Sequence, residues 1–389
     1  MVNERVKLCL VGCGMIGRVH AQACQKHQDA IELYLCDADE MRARALKDEF
    51  GAVSVIGDYN QVLSDSRIDA VDLCVPHHLH AELAVSAFEA GKHVLLEKPL
   101  ANSLSEADTI IEAARSAGLV FAVSENFRFE PAIRRALEII GHGDIGEPFL
   151  ILVQEMFFTA EVSMYMPACD WRRREATGGG GFLFDRGVHL MATVNQLGGP
   201  VRSVYALTRS PAGAWEVDET SVVTFVHENG VITNLIESIN ARSAPKIPFV
   251  AVYGTEGSII EIPEMHLPAH GPFEIGGLNI YSSKNRKFQA AVDTDFFEDA
   301  KLYMKMILDQ EVPDEVLRRS LARGTLVDIV EEFGNFNVYE ASITDFAECV
   351  RTGKTPCVEG RHARDDIELV FASYQSARTG QPVMLPLDG

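Results

Sequence analysis

Basic charge is scarce in this sequence: 35 Lys and Arg stand against 56 Asp and Glu over 389 residues, a formal net charge of −21. Such a balance repels phosphate backbones and anionic membrane surfaces, which excludes nucleic acid and membrane as partners. A single locally basic pocket for an anionic ligand stays compatible with it. Long apolar runs are missing too, and no stretch approaches the roughly 20 residues of a membrane span. Arg5 and Lys7 ahead of residues 8–16 imitate a secretion signal, and Leu10-Val11-Gly12-Cys13 imitates a lipoprotein cleavage box. Gly12, Gly14 and Gly17 break that run, and cleavage there would remove a first strand. A cytoplasmic protein is expected. No Cys-x-x-Cys pair occurs among Cys9, Cys13, Cys24, Cys36, Cys74, Cys169, Cys349 and Cys357. Buried reduced thiols are therefore expected, not a disulfide framework. Internal repeats and low-complexity linkers are also absent.

What is present is ordinary globular composition, 47% hydrophobic and 23% charged. The length calls for two or three domains. Residues 6–11 form a continuous apolar run before a glycine turn, the pattern of a strand buried on both faces. Further strands are expected at 31–36, 54–56, 70–75, 93–96 and 120–124. Helices are expected between them at 16–27, 41–50, 59–64, 80–90 and 105–117. Strict alternation predicts a doubly wound parallel sheet. After residue 125 the rhythm changes. A helix at 132–140 precedes strands at 149–158, 201–208, 220–227, 231–239, 248–253 and 258–262, with Glu228-Asn229-Gly230 as a hairpin signal. Helical material follows at 296–334, 341–351 and 366–379. The expected fold is α/β: an N-terminal Rossmann doubly wound parallel sheet over 1–125, then a C-terminal α+β domain over 126–389 with a large, mostly antiparallel sheet.

Gly12-Cys13-Gly14-Met15-Ile16-Gly17 is a G-x-G-x-x-G set between a predicted strand and a predicted helix. Gly12 permits the tight turn, Gly14 lets the backbone approach a pyrophosphate, and Gly17 allows close helix–strand packing. The helix N-terminus then offers free N–H groups to the phosphates. Asp37, 20 residues after Gly17, stands where a carboxylate accepts the ribose hydroxyls and repels a 2′-phosphate, which favours NAD over NADP.

Together with this motif, Glu97-Lys98-Pro99 after a strand and Gly178-Gly179-Gly180-Gly181 leading into Asp185-Arg186-Gly187-Val188-His189 resemble the glucose–fructose oxidoreductase/inositol dehydrogenase/MocA (Gfo/Idh/MocA) family. Asn126-Phe127-Arg128-Phe129, Trp171-Arg172 and Gly380-Gln381-Pro382-Val383 add to the resemblance. It implies NAD(P)-linked oxidation or reduction of a secondary carbinol of a sugar, cyclitol or related compound. It implies His189 as acid/base, Lys98 as stabiliser of the alkoxide, and Asp185 as orienter of the imidazole or holder of a substrate hydroxyl. Asp185 and His189, four apart, would share one face if they lie on one helix. A cis peptide at Lys98–Pro99 is also implied. The expected cofactor contacts are Gly12, Gly14, Met15, Ile16, Gly17, Asp37, Cys74, Pro76, His80, Glu97, Lys98 and Asn126. The expected substrate contacts are Arg128, Trp171 and Arg172, the last two equally able merely to pack and pair.

His77, His78 and His80 tempt towards a metal, but adjacent side chains rarely converge and no matching cluster accompanies them, so none is expected. The family usually has Asn where His77 stands. Residues 263–340 carry an extra stretch, Pro-, Gly- and His-rich at 265–279, that shapes either the substrate cleft or an oligomer contact. Self-association as a homodimer or homotetramer is expected. Two rival readings stay open: a redox-neutral enzyme that retains NAD and cleaves or rearranges a glycoside, and a non-catalytic NAD-sensing protein.

Overall fold

The computed structural model describes residues 5–156, 158, 167–242, 247–262, 276–290, 297–298, 300–301, 305, 312–334 and 336–387. Outside them lie residue 157 of an expected strand, 265–275 of the extra stretch and much of the helical block from 296.

The first sheet holds β1 (Val6–Val11), β2 (Ile31–Cys36), β3 (Ser54–Ile56), β4 (Ala70–Leu73), β5 (His93–Glu97) and β6 (Phe121–Ser124). Their order is β3-β2-β1-β4-β5-β6, all parallel. The expected doubly wound sheet is therefore observed, with its switch point between β1 and β4. Alternate residues of each strand feed opposite faces. Leu8, Leu10, Leu33 and Leu35 face α1 (Met15–Lys26) and α2 (Glu40–Phe50), whereas Cys9, Val11, Val71 and Leu96 face the side of α4 (His80–Glu89) and α5 (Leu104–Ala117). A short α3 (Tyr59–Ser64) starts behind Asp58, whose carboxylate caps it by accepting from Gln61 N.

The second sheet is built on β7 (Pro148–Met156), which follows α6 (Pro131–Gly141). Its order is β14-β13-β12-β11-β7-β10-β9-β8-β15, where β8 is Val201–Arg209, β9 Thr220–His227, β10 Ile232–Ser238, β11 Val250–Gly254, β12 Gly257–Glu261, β13 Gly277–Ser282, β14 Thr325–Asp328 and β15 Val383–Met384. Only the β7–β10 pair is parallel among the paired strands. Gly230, at φ +87°, closes the expected β9–β10 hairpin. One expectation needs correction: residues 325–328 fall inside the predicted helical block yet form β14, paired to β13. Four residues are too few to show a period of two, and the edge of a sheet decided their conformation. Thus part of the extra stretch supplies two strands.

Two late helices cross back over the first sheet. α11 (Val338–Thr352) places Ile343, Phe346 and Ala347 in the same core as β1 and α1, while α12 (Gly360–Thr379) joins the core under β6 and β8. Between them and β7 lie α7 (Phe182–Asp185), α8 (Gly187–Gly198), α9 (Asp314–Leu321) and α10 (Ile329–Phe333). Among the described residues no helix is long and apolar enough to cross a membrane. The described cysteine side chains are unpaired and mostly buried.

Phe346, fully buried, has no room to be replaced by collapse of its neighbours. Phe346→Ala should cost about 3–5 kcal/mol, read by chemical denaturation, and a loss under 1 kcal/mol would disprove the docking of α11 on the first sheet.

Candidate active site

The glycine loop leaves β1 at Val11. A Cβ on Gly12 would collide with the Cys74 carbonyl, and one on Gly17 with the Gly12 carbonyl, whereas Gly14 faces open space. Gly12 N donates to Cys36 O at 2.8 Å, and Cys74 N to Val11 O at 2.8 Å, which ties the turn to both neighbouring strands. α1 begins without a side-chain cap, so its first N–H groups remain free for an anion. A groove of about 480 Å³ runs beside this loop, lined by Gly12, Gly14, Met15, Ile16, Asp37, Cys74, Pro76 and Lys98 among others. Asp37 takes up the loop itself, accepting from Cys13 N at 2.6 Å and Asp39 N at 2.7 Å. Tight glycines on the strand side and an open Gly14 fit a dinucleotide pyrophosphate.

A second cavity, about 240 Å³, adjoins the groove: Met15, Ile16, Glu97, Lys98 and Arg172 line both. Lys98, Asp185 and His189 all line it, with Asn126, Trp215 and Tyr339. The three residues expected to do chemistry are thus brought together from β5, α7 and α8. The Lys98–Pro99 peptide is cis, as the resemblance implies. Lys98 Nζ donates to the Asp185 carbonyl at 2.7 Å, and burial lowers its pKa from the ordinary lysine value.

Their mutual arrangement differs from the sequence expectation. Asp185 ends α7, Arg186 is the cap residue between the two helices, and α8 starts at Gly187. The two residues are therefore not on one helix face, and Asp185 does not orient the imidazole. Its carboxylate pairs with Arg172 and lies 3.5 Å from His77 Nε2. Burial opposes its charge, yet Arg172, Lys98 and His77 hold it well below the usual carboxylate range. The carboxylate on His189 is Glu125, whose Oε1 lies 2.7 Å from Nδ1. Phe127 stacks on the imidazole at 4.7 Å, and Arg186, doubly bonded to Glu155 at 2.6 and 2.9 Å, covers Phe127.

Two further residues are not where the resemblance placed them. His80 is fully buried, with its ring nitrogens 2.9 and 3.1 Å from the Pro99 and Val75 carbonyls; it braces the cleft wall and touches neither cavity. Arg128 gives both hydrogen bonds of one nitrogen to Asp366, at 2.8 and 2.9 Å, and lines a different cavity beside His362 and Glu368. A buried carboxylate on α12 claims it. His77, in the family's Asn position, reaches the Gly178 carbonyl at 2.8 Å and Asp185, with the Trp171 ring edge-on at 4.7 Å. The glycine tract is not a loose loop, since Cβ atoms at Gly178 and Gly181 would strike Arg172 and Asp218.

Sequence reasoning missed Glu125 and a buried chain beneath the groove. His20 Nδ1 lies 2.8 Å from Asp72, with Cys74 Sγ at 3.4 Å, and Nε2 lies 3.2 Å from Glu97. Burial opposes its charge, but Asp72 and Cys74 raise its pKa well above the ordinary histidine value. The His20 ring thus stands between Asp72 and Glu97, linking the phosphate-loop helix to the residue before Lys98. A signal existed: His20 is one helical turn past Gly17, on the face that packs on the sheet.

Residues 6–125 match the oxidoreductase family, NAD-binding Rossmann fold (GFO_IDH_MocA), and residues 138–385 match its C-terminal alpha/beta domain. The chain belongs to this oxidoreductase family, and NAD is the cofactor of its first domain. It is 27% identical to D-apiose dehydrogenase of Paraburkholderia graminis over 98% of this chain and 90% of that protein. It is 26% identical to the NAD(+)-linked scyllo-inositol 2-dehydrogenase of Bacillus subtilis over 99% and 97%. The fold is shared with levoglucosan dehydrogenase in complex with NADH and levoglucosan, at TM-score 0.79 and 21% identity over 99% and 100% of the chains. It is also shared with the WlbA dehydrogenase of Bordetella pertussis in complex with NADH and UDP-GlcNAcA, at TM-score 0.77 and 23% identity over 100% of both.

If Arg128 is structural, Arg128→Ala should lower folding stability by about 3–5 kcal/mol through the stranded Asp366. NAD affinity, measured by calorimetry, should stay within about twofold; a large loss of NAD or substrate binding at unchanged stability would return Arg128 to the site.

Proposed function

We propose that this protein transfers a hydride between NAD and a secondary alcohol of a sugar, glycoside or inositol-like polyol, with residues 1–125 carrying the cofactor and 126–389 the substrate. The observation that carries this reading is the convergence of Lys98, Asp185 and His189 on one small cavity that opens onto the glycine-loop groove. Relatives over nearly the whole chain that are named for D-apiose and scyllo-inositol support the substrate class.

When bound, NAD supplies the hydride acceptor. The chain's own residues handle the proton and the developing charge. With Nδ1 held by Glu125, His189 has Nε2 left to take the hydroxyl proton. Lys98, half-buried and anchored by the Asp185 carbonyl, stabilises the alkoxide as it forms. Asp185 stays ionised between Arg172 and His77 and accepts a neighbouring substrate hydroxyl. Trp171 and Arg172 stand at the junction of groove and cavity, where the nicotinamide end of the cofactor and the substrate meet.

Self-association fits the outer face of the second sheet. The strand register sets Tyr205, Leu207, Val222, Ile232 and Leu326 on that one face, each 39–56% exposed. An apolar patch of this kind on an otherwise acidic protein marks an interface. Light scattering should give a dimer or tetramer for the wild type and a smaller species for Leu207→Asp; a monomeric wild type ends this part of the reading.

The catalytic reading predicts NADH absorbance on mixing protein, NAD and a panel of sugars, glycosides and inositols. Lys98→Ala and His189→Ala should each cut kcat by about 10²–10⁴-fold. Product from a glycoside without NADH accumulation would favour redox-neutral cleavage with retained NAD. Full activity in both variants would sink the assignment.

A further inference from the structure

Glu125 is the first residue beyond β6, at the C-terminal end of the strand, where open α/β sheets place their functional groups. It is 1% exposed. Its Oε1 meets His189 Nδ1 at 2.7 Å and also accepts from Phe127 N at 3.1 Å, while Oε2 has no hydrogen-bond partner among the described residues. A carboxylate buried with one bare oxygen is costly unless a neighbouring positive charge or a proton answers it.

We propose that Glu125 and His189 work as one proton-handling pair, in which Glu125 fixes the imidazole tautomer and takes up the charge that the ring gains on accepting a proton. This rests on the reading of His189 as the acid/base. The ring is clamped for such a role. Phe127 stacks on it at an interplanar angle of 20°, and Arg186 holds Phe127 from beyond. Nδ1 is turned into the protein, so the lone pair offered to a substrate hydroxyl is that of Nε2.

Charge arithmetic explains why the ring needs a carboxylate behind it. Facing the pair are Glu97 and Lys98 from β5, Arg128 from the turn after β6, Arg186 before α8, Glu155 on β7 and Asp366 on α12. Burial, with Lys98 and Arg186, holds His189 well below its ordinary value, so a lone imidazole here would be a weak base. Burial pushes Glu125 up to about 7 against the pull of Lys98. The pair therefore takes its extra proton more readily than the ring alone would.

In the oxidation step the substrate O–H bond breaks and its proton bonds to Nε2. The Nδ1 proton moves onto, or is shared with, Glu125 Oε1. The C–H bond breaks with its electron pair, which leaves as hydride to NAD. The pair passes from net charge −1 to zero, and no new positive charge is stranded beside Lys98. Such coupled groups titrate as a unit, not as two separate residues.

Two measurements on the NAD-bound protein test this. The first is the ¹⁵N spectrum of His189, assigned with His189→Ala, which needs no substrate. At pH about 8, above the value of about 7 to which burial raises Glu125, the wild type should carry its ring proton on Nδ1, and Glu125→Ala should move it to Nε2. A wild-type ring protonated on Nε2, or a tautomer unchanged in Glu125→Ala, overturns the pairing. The second is the pH profile of kcat/KM for NADH formation. Glu125→Gln is nearly isosteric and keeps an oxygen for Nδ1, so folding should survive, as thermal unfolding will show. It should lower kcat about 10²-fold with KM within about threefold, and move the acid limb down by about one unit or more, because the ring loses its counter-charge. A limb that stays in place means Glu125 is merely structural. Should no alcohol yield NADH with the wild type, the dehydrogenase reading falls, while the tautomer measurement still decides the pairing.

Discussion

The cleft is organised around the ammonium of a half-buried lysine. Lys98 sits at the end of β5 and reaches across to the Asp185 carbonyl at 2.7 Å, joining the first sheet to the helical junction of the second domain. A cation partly withdrawn from water is tolerated where fixed dipoles and counter-charges replace its hydration. Glu97 and Glu125 flank it, and Asp185 supplies a third carboxylate that Arg172 and His77 share. The same logic places Glu155 on Arg186 and Asp72 on His20. Charged groups of both signs thus stand paired beside the cavity, the arrangement that stabilising a developing alkoxide requires.

That arrangement demands that the two sheets hold a fixed relation. One continuous core does this: residues of β4, β5 and β6 pack with α8, α12 and the inner faces of β7 to β10. α11 covers the opposite face of the first sheet, where β1 and α1 carry the glycine loop. The polypeptide between β14 and β15 of the second sheet therefore completes the first.

Much of this was legible in advance. Buried-strand runs, glycine punctuation and the alternation of strand with helix located the labelled elements before residue 263 apart from α7 and α8, because each depends on local steric and solvation preferences. The motif residues Lys98, Asp185 and His189 did converge. What failed was inference from spacing to contact. Four residues suggested one helix face for Asp185 and His189, yet Asp185 ends α7 and His189 lies in α8. Arg128 stood in a motif that resembles family members, but Asp366, 238 positions away, claims it. Glu125 drew no notice because a single acid after a strand has no pattern.

The sequence by itself determined the class of fold, the glycine loop with its acidic partner Asp37, and which residue types would reach the cleft, since these follow from periodicity, turn chemistry and motif order. Only the tertiary structure decided who pairs with whom: Glu125 with His189, Asp185 with Arg172, Arg128 with Asp366, His20 with Asp72 and Glu97. The physical reason is that a buried charge must find a counter-charge within a few ångströms, wherever along the chain it comes from. Such partners are chosen by the packing of distant elements, which no local pattern records.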